Sequence, residues 1–295
     1  MKKITFLLLS VLVVLVSCNT TSTKQSKSIV VTDAFNRKVT IVSEPKRIIS
    51  ISPAITEIMF ALGKQQLLIG RSDRCTYPEQ VSSIPTIGSI LEPNIETIAS
   101  LKPDLIIAST HFKKEMVDKI EQLGIPIIVL KSQDSFEGAY EIIAKVGEIV
   151  QAQHQADSII GTMKTDVSLI QEKTKAITSR PTVYYVIGFG KSGNFTAGGN
   201  TFISNMINIA GGKNIAEDVN GWSYSTEQLI EKDPDIIIIH KGDKEAFANT
   251  AIYKNLKAVK NNKIYEIDNL LFELTGPRLS LGLKTLFTIL HPEVK

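Results

Sequence analysis

The stretch Gly188-Phe-Gly-Lys-Ser-Gly193 has the G-x-G-x-x-G spacing that lets backbone amides approach a pyrophosphate. That chemistry needs a helix to open at once, so that its N-terminus meets the phosphate. Here Asn194-Phe-Thr-Ala-Gly-Gly199 continues as a loop. Gly190-Lys191-Ser192 looks like the end of a P-loop, but the position that needs glycine holds Tyr185. Ser43-Glu-Pro-Lys46 spells S-x-x-K, and Pro45 argues against the helix that this nucleophile motif requires. Neither G-x-S-x-G nor H-E-x-x-H occurs, and the four histidines, His111, His154, His240 and His291, are scattered. A bare Zn²⁺ or Mn²⁺ site wants several His and carboxylate ligands converging, and no His-rich run exists. The chain is therefore expected to be no enzyme and to carry no cofactor. A bare-metal binder and, behind it, a secreted hydrolase stand as alternatives.

One acidic pattern is spoken twice. Glu96 and Glu227 each precede an apolar residue by two positions, a proline by seven (Pro103, Pro234), an aspartate by eight (Asp104, Asp235) and then an apolar run. Each reads as a short helix that stops as the chain reaches Pro and then feeds a buried strand. A carboxylate near a helix N-terminus is favoured by the helix dipole, so capping is one explanation of both glutamates. A paired surface function is the other.

Further candidates follow apolar runs. Arg71, Arg74 and Tyr77 come after the run ending at Gly70, where arginines suit anionic groups if the loop is more than an ordinary charged one. His111 lies in Ser109–Phe112, Phe189 follows Tyr184–Ile187, and Phe272 with Glu273 follows Ile264–Ile267. Trp222, the sole tryptophan, stands with Tyr224 in a glycine-containing loop ahead of the second repeat, a place for stacking on a flat ligand. Arg278 follows Gly276-Pro277 at a helix start, where a structural role is the alternative.

These residues need a frame. Arg47–Ile51, Leu67–Gly70, Leu105–Ala108, Ile127–Leu130, Thr182–Ile187, Ile236–Ile239 and Ile264–Ile267 are apolar on both faces and read as buried parallel strands. Helical patterns lie between them. The first is signed by Ser52, Pro53, apolar Ile55, Ile58, Met59 and Leu62, and a closing Gly63. From Ala152 to Thr178 there is no Pro, and apolar residues recur at helical spacing. The spacing predicts a long helix between the two repeats, a strut joining two lobes. The expected fold is α/β: two three-layer lobes with mostly parallel sheets, residues 29–151 and 179–295, joined by a helix over 152–178. Ligands of such sheets lie at the C-terminal ends of the strands, here in the cleft between lobes.

The N-terminus points outside the cytoplasm. Lys2 and Lys3 precede the apolar run Ile4–Val16, which is too short to span a membrane and suits a signal peptide over 1–17. Leu15-Val-Ser-Cys18 resembles the bacterial lipobox, in which the cysteine is lipidated. Residues 18–28 form a polar tether. Without Lys2 and Lys3 the 33 basic residues become 31 against 30 acidic, so nothing suggests nucleic acid. A lipidated Cys18 leaves Cys75 no cysteine partner within the chain.

Several marks in order carry a family resemblance: Arg47-Ile-Ile-Ser-Ile-Ser-Pro-Ala-Ile-Thr-Glu-Ile-Met-Phe-Ala-Leu-Gly63, Cys75-Thr-Tyr-Pro78, Leu101-Lys-Pro-Asp-Leu-Ile-Ile107, Phe195-Thr-Ala-Gly198, Ala210-Gly-Gly-Lys-Asn-Ile215 and Gly276-Pro-Arg278. The chain resembles the substrate-binding proteins of ABC importers for iron complexes, haem and vitamin B12, over nearly all of Ser28 to Glu293. The resemblance implies two lobes bridged by one helix, a metal chelate held between them, small lobe movements, and delivery to a dimeric permease with its ATPase. It also implies that Glu96 and Glu227, one per lobe, dock against permease arginines. Haem binders of this family often place a Tyr after an Ile-Gly pair, whereas Ile87-Gly88 is followed by Ser89. Its B12 binders tend to use several Trp, and this chain has one. The Arg-and-aromatic set therefore favours a ferric siderophore, with haem and cobalamin as the other chelates.

Overall fold

The structure is a computed structural model that describes residues 28–42, 44–191 and 193–294. The expected signal peptide, Cys18 and most of the tether lie outside the described residues.

The first lobe opens with a hairpin, β1 (Ile29–Thr32) and β2 (Lys38–Ile41), paired antiparallel. Its turn docks on the lobe's sheet, with the Ala34 N–H donating to Val129 O at 2.8 Å. The sheet comprises β3 (Ile48–Ser50), β4 (Leu68–Arg71), β5 (Leu105–Ser109) and β6 (Ile127–Leu130), all parallel, in the order β4-β3-β5-β6. Four helices cover it: α1 (Pro53–Ala61), α2 (Ile95–Leu101), α3 (Lys114–Gln122) and α4 (Phe136–Ile149). Strand alternation divides the side chains between two cores. Ile48, Ile107 and Ile128 face Ile55 and Ile58 of α1 and Ile143 of α4. Ile49, Ile106 and Val129 face Ile98 of α2 and Val117 of α3.

The bridging helix is α5 (Gln153–Lys175), three residues shorter at its C-terminus than the pattern predicts and about 34 Å long at the α-helical rise. It follows α4 almost directly, through Gln151 at φ +51°. Gly147 makes the close crossing possible: a Cβ there would sit 2.6 Å from the Ala156 Cβ.

The second lobe holds β7 (Thr182–Gly188), β8 (Asn194–Thr196), β9 (Lys213–Asn214), β10 (Ser223–Tyr224), β11 (Ile236–His240) and β12 (Ile264–Ile267). They form one sheet in the order β10-β8-β7-β11-β12, with β9 also on β7. β7, β11 and β12 are parallel, while β8 and β10 add an antiparallel edge. Its helices are α6 (Phe202–Ile209), α7 (Thr226–Lys232), α8 (Lys244–Asn249), α9 (Lys257–Lys260), α10 (Leu270–Glu273) and α11 (Leu279–Leu290). Tyr184, Ile237 and Ile239 face Leu229 of α7 and Phe247 of α8. Val183, Tyr185 and Ile238 face Met206 of α6 and Leu283 and Leu286 of α11.

That last face belongs to the same apolar cluster as α1 and α4 of the first lobe. The cluster runs through Ile142 and Val146 of α4, Met163 and Ile170 of α5, and Leu286 and Leu290 of α11 without interruption. The two lobes thus share their inner core, while α2 and α7 lie on the two outer ones.

The repeated sequence has a repeated structure. The side chains of Asn94 and Ser225 cap α2 and α7, accepting from the N–H groups of Thr97 and Gln228. Each helix ends on a left-handed residue, Lys102 at φ +48° and Asp233 at φ +37°. The caps leave Glu96 and Glu227 out of that work, and both side chains are exposed at the second helical position.

Candidate interlobe binding site

A cavity of about 580 Å³ lies between the lobes. His111 and Asp134 reach it from the loops after β5 and β6, Ile187 from the end of β7, and Phe272 and Glu273 from α10 after β12. All five follow the C-terminal ends of parallel strands, where helix-flanked sheets leave room for a ligand. Trp222, from the loop into β10, closes another side with 49% of its surface exposed. Phe202, at the start of α6, forms part of the wall, its ring 5.2 Å edge-on from Phe136 of the first lobe. An aromatic contact between lobes therefore underlies the site.

The charges of the cavity are one-sided. Its lining carries the carboxylates of Asp134 and Glu273, the His111 imidazole and the polar groups of Asn200, Thr201 and Thr275, but, among the described residues, no lysine or arginine. Glu273 accepts from Asn269 Nδ2 at 2.8 Å and has its other oxygen 3.3 Å from His240 Nε2. The approach to His240 is off the hydrogen-bonding direction, so we read it as an ion pair. Contact with that carboxylate holds the His240 pKa above the ordinary imidazole range, although burial works against it. Beneath Phe272 lies the fully buried Tyr185, ring centroids 6.1 Å apart, whose hydroxyl has no hydrogen-bond partner among the described residues. Burial pushes that phenol above its usual range.

Of the nine binding candidates from sequence, the structure brings His111, Trp222 and Phe272 to the cavity. Arg71, Arg74, Phe189 and Tyr224 lie outside that lining, and Tyr77 and Arg278 line a second space between the lobes beside it. Arg71 spends its guanidinium on the backbone, donating to Val81 O at 2.9 Å and Ser72 O at 3.1 Å, and so fixes its own loop. Arg74 is exposed and outside the lining. Phe189 packs on Phe247 and Tyr253 in the outer core, at centroid distances of 5.2 and 6.2 Å. Tyr224 is buried there too, its hydroxyl donating to Ile215 O at 3.1 Å.

Arg278 and Tyr77 belong to a contact between lobes beside the cavity. Arg278 donates to both carboxylate oxygens of Glu57 on α1, at 2.8 and 2.7 Å, and lies 3.2 Å from Asp268. Its guanidinium sits 3.7 Å from the centre of the Tyr77 ring. Glu57 is 5% exposed. Burial pushes its carboxyl above the ordinary range, and the pairing with Arg278 only partly offsets this.

Sequence reading missed Glu57, Asp134, Asn200, Thr201, Phe202, Leu274 and Thr275. A glutamate inside the largely apolar run Ala54–Met59 of α1 was the one visible signal for Glu57.

Comparison with known proteins decides the family. Residues 48–271 match the periplasmic binding protein family. The chain belongs to that family. Another member, the uncharacterized ABC transporter substrate-binding lipoprotein YvrC of Bacillus subtilis, is 34% identical over 90% of this chain and 86% of its own. A cobalamin-binding protein of Halobacterium salinarum is 30% identical over 80% of this chain and 65% of its own. Among solved structures, the periplasmic haem-binding protein RhuT of Roseiflexus, in apo form, superposes with a TM-score of 0.76 at 25% identity, covering 85% of this chain and 99% of that one. Periplasmic binding proteins of this family serve ABC importers and are not enzymes. The two α/β lobes around α5 are the family's fold.

Proposed function

We propose that the protein is an extracytoplasmic lipoprotein that captures a corrinoid of the cobalamin type in the interlobe cavity and delivers it to an ABC permease. The observation that carries this reading is the lining: aromatic faces at Trp222, Phe202 and Phe272, with the acceptors Asp134 and Glu273 and no cation. A corrinoid is rimmed by amides whose N–H groups donate to carboxylates, and its broad face suits aromatic stacking. Haem presents two propionates, and ferric catecholate and citrate-type siderophores are anionic, so these meet like charge here. Of the arginines that favoured a siderophore in the sequence, Arg71 and Arg278 are bonded within the protein and Arg74 lies outside this lining. The cobalamin-binding relative supports the corrinoid reading. Haem is the second reading, favoured by the His111 imidazole in the cavity and the likeness to RhuT. Among the described residues no three His, Cys, Asp or Glu side chains come together to hold a metal, which favours a metal that arrives already chelated.

Delivery rests on Glu96 and Glu227. Both are exposed, at the same position of equivalent helices, one on each lobe. Such a pair suits a dimeric partner with twofold symmetry, and rim charges of this kind steer and register a complex. Lipidation of Cys18 would tether the protein at the membrane.

The test uses residues 19–295, titrated with cyanocobalamin, haemin and a ferric siderophore while following the fluorescence of the single tryptophan. Cobalamin is expected to bind one-to-one at micromolar affinity or better and ahead of the other two. Preference for haemin or for the siderophore would overturn the corrinoid assignment.

A further inference from the structure

The segment between Asp268 and Arg278 supplies one wall of the cavity, through Phe272, Glu273, Leu274 and Thr275. Both ends of that segment meet at one guanidinium. Asp268 receives Arg278 Nη1 at 3.2 Å and also accepts from the Leu270 N–H at 3.1 Å, fixing the start of α10. The same guanidinium grips Glu57 of the other lobe with two parallel hydrogen bonds and covers the Tyr77 ring. The side chains of Arg278 and Glu57 are 15% and 5% exposed, so water screens the pair little. The planar fork of arginine fixes direction as well as distance, which a single point charge does not.

We propose that Arg278 is a positioning residue for cargo binding, which closes the 268–278 segment on itself and anchors that cavity wall to Glu57 of the opposite lobe. The inference rests on the interlobe cavity being the cargo site. The clasp sets the distance between His111 and Asp134 on one lobe and Glu273 on the other. Loss of it lets the wall and the lobe angle drift together. Cargo then leaves faster, while the rate of entry changes little.

The experiment compares Arg278→Met, Glu57→Met and the double variant with the wild type. Removing one partner strands a buried charge and lowers stability, whereas an apolar pair at the same place is often tolerated, so the double variant keeps the test meaningful if a single one fails to fold. Spin labels at Ser100→Cys on α2 and Glu231→Cys on α7, both exposed on the outer layers, report the lobe separation without ligand. Stopped-flow with cyanocobalamin gives the two rates. In the double variant, with melting temperature near wild type, we expect a broadened distance distribution and a dissociation rate raised about tenfold or more. A wild-type distance distribution in the double variant overturns the clasp, as does a wild-type dissociation rate. If the wild type binds no chelate, the cavity reading fails, and the distance measurement still decides whether Arg278 holds the lobes.

Discussion

Asp104 and Asp235 perform the same act in the two lobes. Each opens a central parallel strand, and each turns its carboxylate onto the first residues of the strand beside it. Asp104 accepts from the N–H groups of Lys46 and Arg47, at 2.7 and 3.0 Å, just before β3. Asp235 accepts from the N–H and hydroxyl of Thr182, at 2.9 and 2.7 Å, where β7 begins. The Pro-Asp pair of the repeat is thus a staple for parallel register, and the glutamate ahead of it is left free for other work.

The staple makes a stability prediction. Asp235→Ala should lower unfolding free energy by about 1–2 kcal/mol in urea at pH 7, from the loss of charge-assisted hydrogen bonds at a partly exposed site. Burial alone would raise this carboxyl, but its bonds to Lys257 and Thr182 prevail and hold it at about 2. A depressed acid stabilises the fold above the unfolded pKa, and this contribution fades as pH drops from about 4 toward 2. The wild-type and mutant curves should therefore converge in acid.

Glu96→Ala and Glu227→Ala should leave both melting temperature and cobalamin affinity within error of wild type, because Asn94 and Ser225 do the capping. Uptake by cells carrying the double variant should fall at least tenfold. Normal uptake would remove the docking role.

Trp222→Ala should weaken cargo binding about tenfold or more, equivalent to about 1.4 kcal/mol, without loss of stability, since the ring is exposed. Phe189→Ala should show the reverse pattern. It opens the outer core beside Phe247 and Tyr253 and should cost about 2–3 kcal/mol of stability with affinity retained. Calorimetry on both variants checks the pair.

An NMR titration should find His240 with a pKa above about 6.5 and Glu273→Gln should bring it down. The sign follows from the raised folded value. The ion pair adds stability fully below the unfolded histidine pKa, and that addition is lost as pH rises through the folded one.

Seven of the parallel strands and the bridging helix were legible because apolar runs such as Ile236-Ile-Ile-Ile239 read as strands buried on both faces. β8 and β10 were not, because Asn194-Phe-Thr196 and Ser223-Tyr224 each hold one apolar residue and form no apolar run. That failure carried over to the site. In β10 the alternation exposes Ser223 and buries Tyr224, so an aromatic expected beside Trp222 in the cleft became core. Phe189 leaves its strand toward α8, a direction set by Phe247 far along the chain. Arg278 stood among the ligand candidates, with a structural role at its helix start as the alternative. Its true partner, Glu57, lies 221 positions earlier, and no local pattern joins the two.

The unbroken inner core has a mechanical meaning. A pair of jaws that swing freely selects its load by closing on it. Here the jaws share the same apolar filling from α1 through α5 to α11, which with the Arg278–Glu57 pair resists a free swing. Such a caliper measures its load rather than grasping it. On the proposed function, cargo of the wrong thickness would be refused at the mouth, and release of the right one would be work for the transporter.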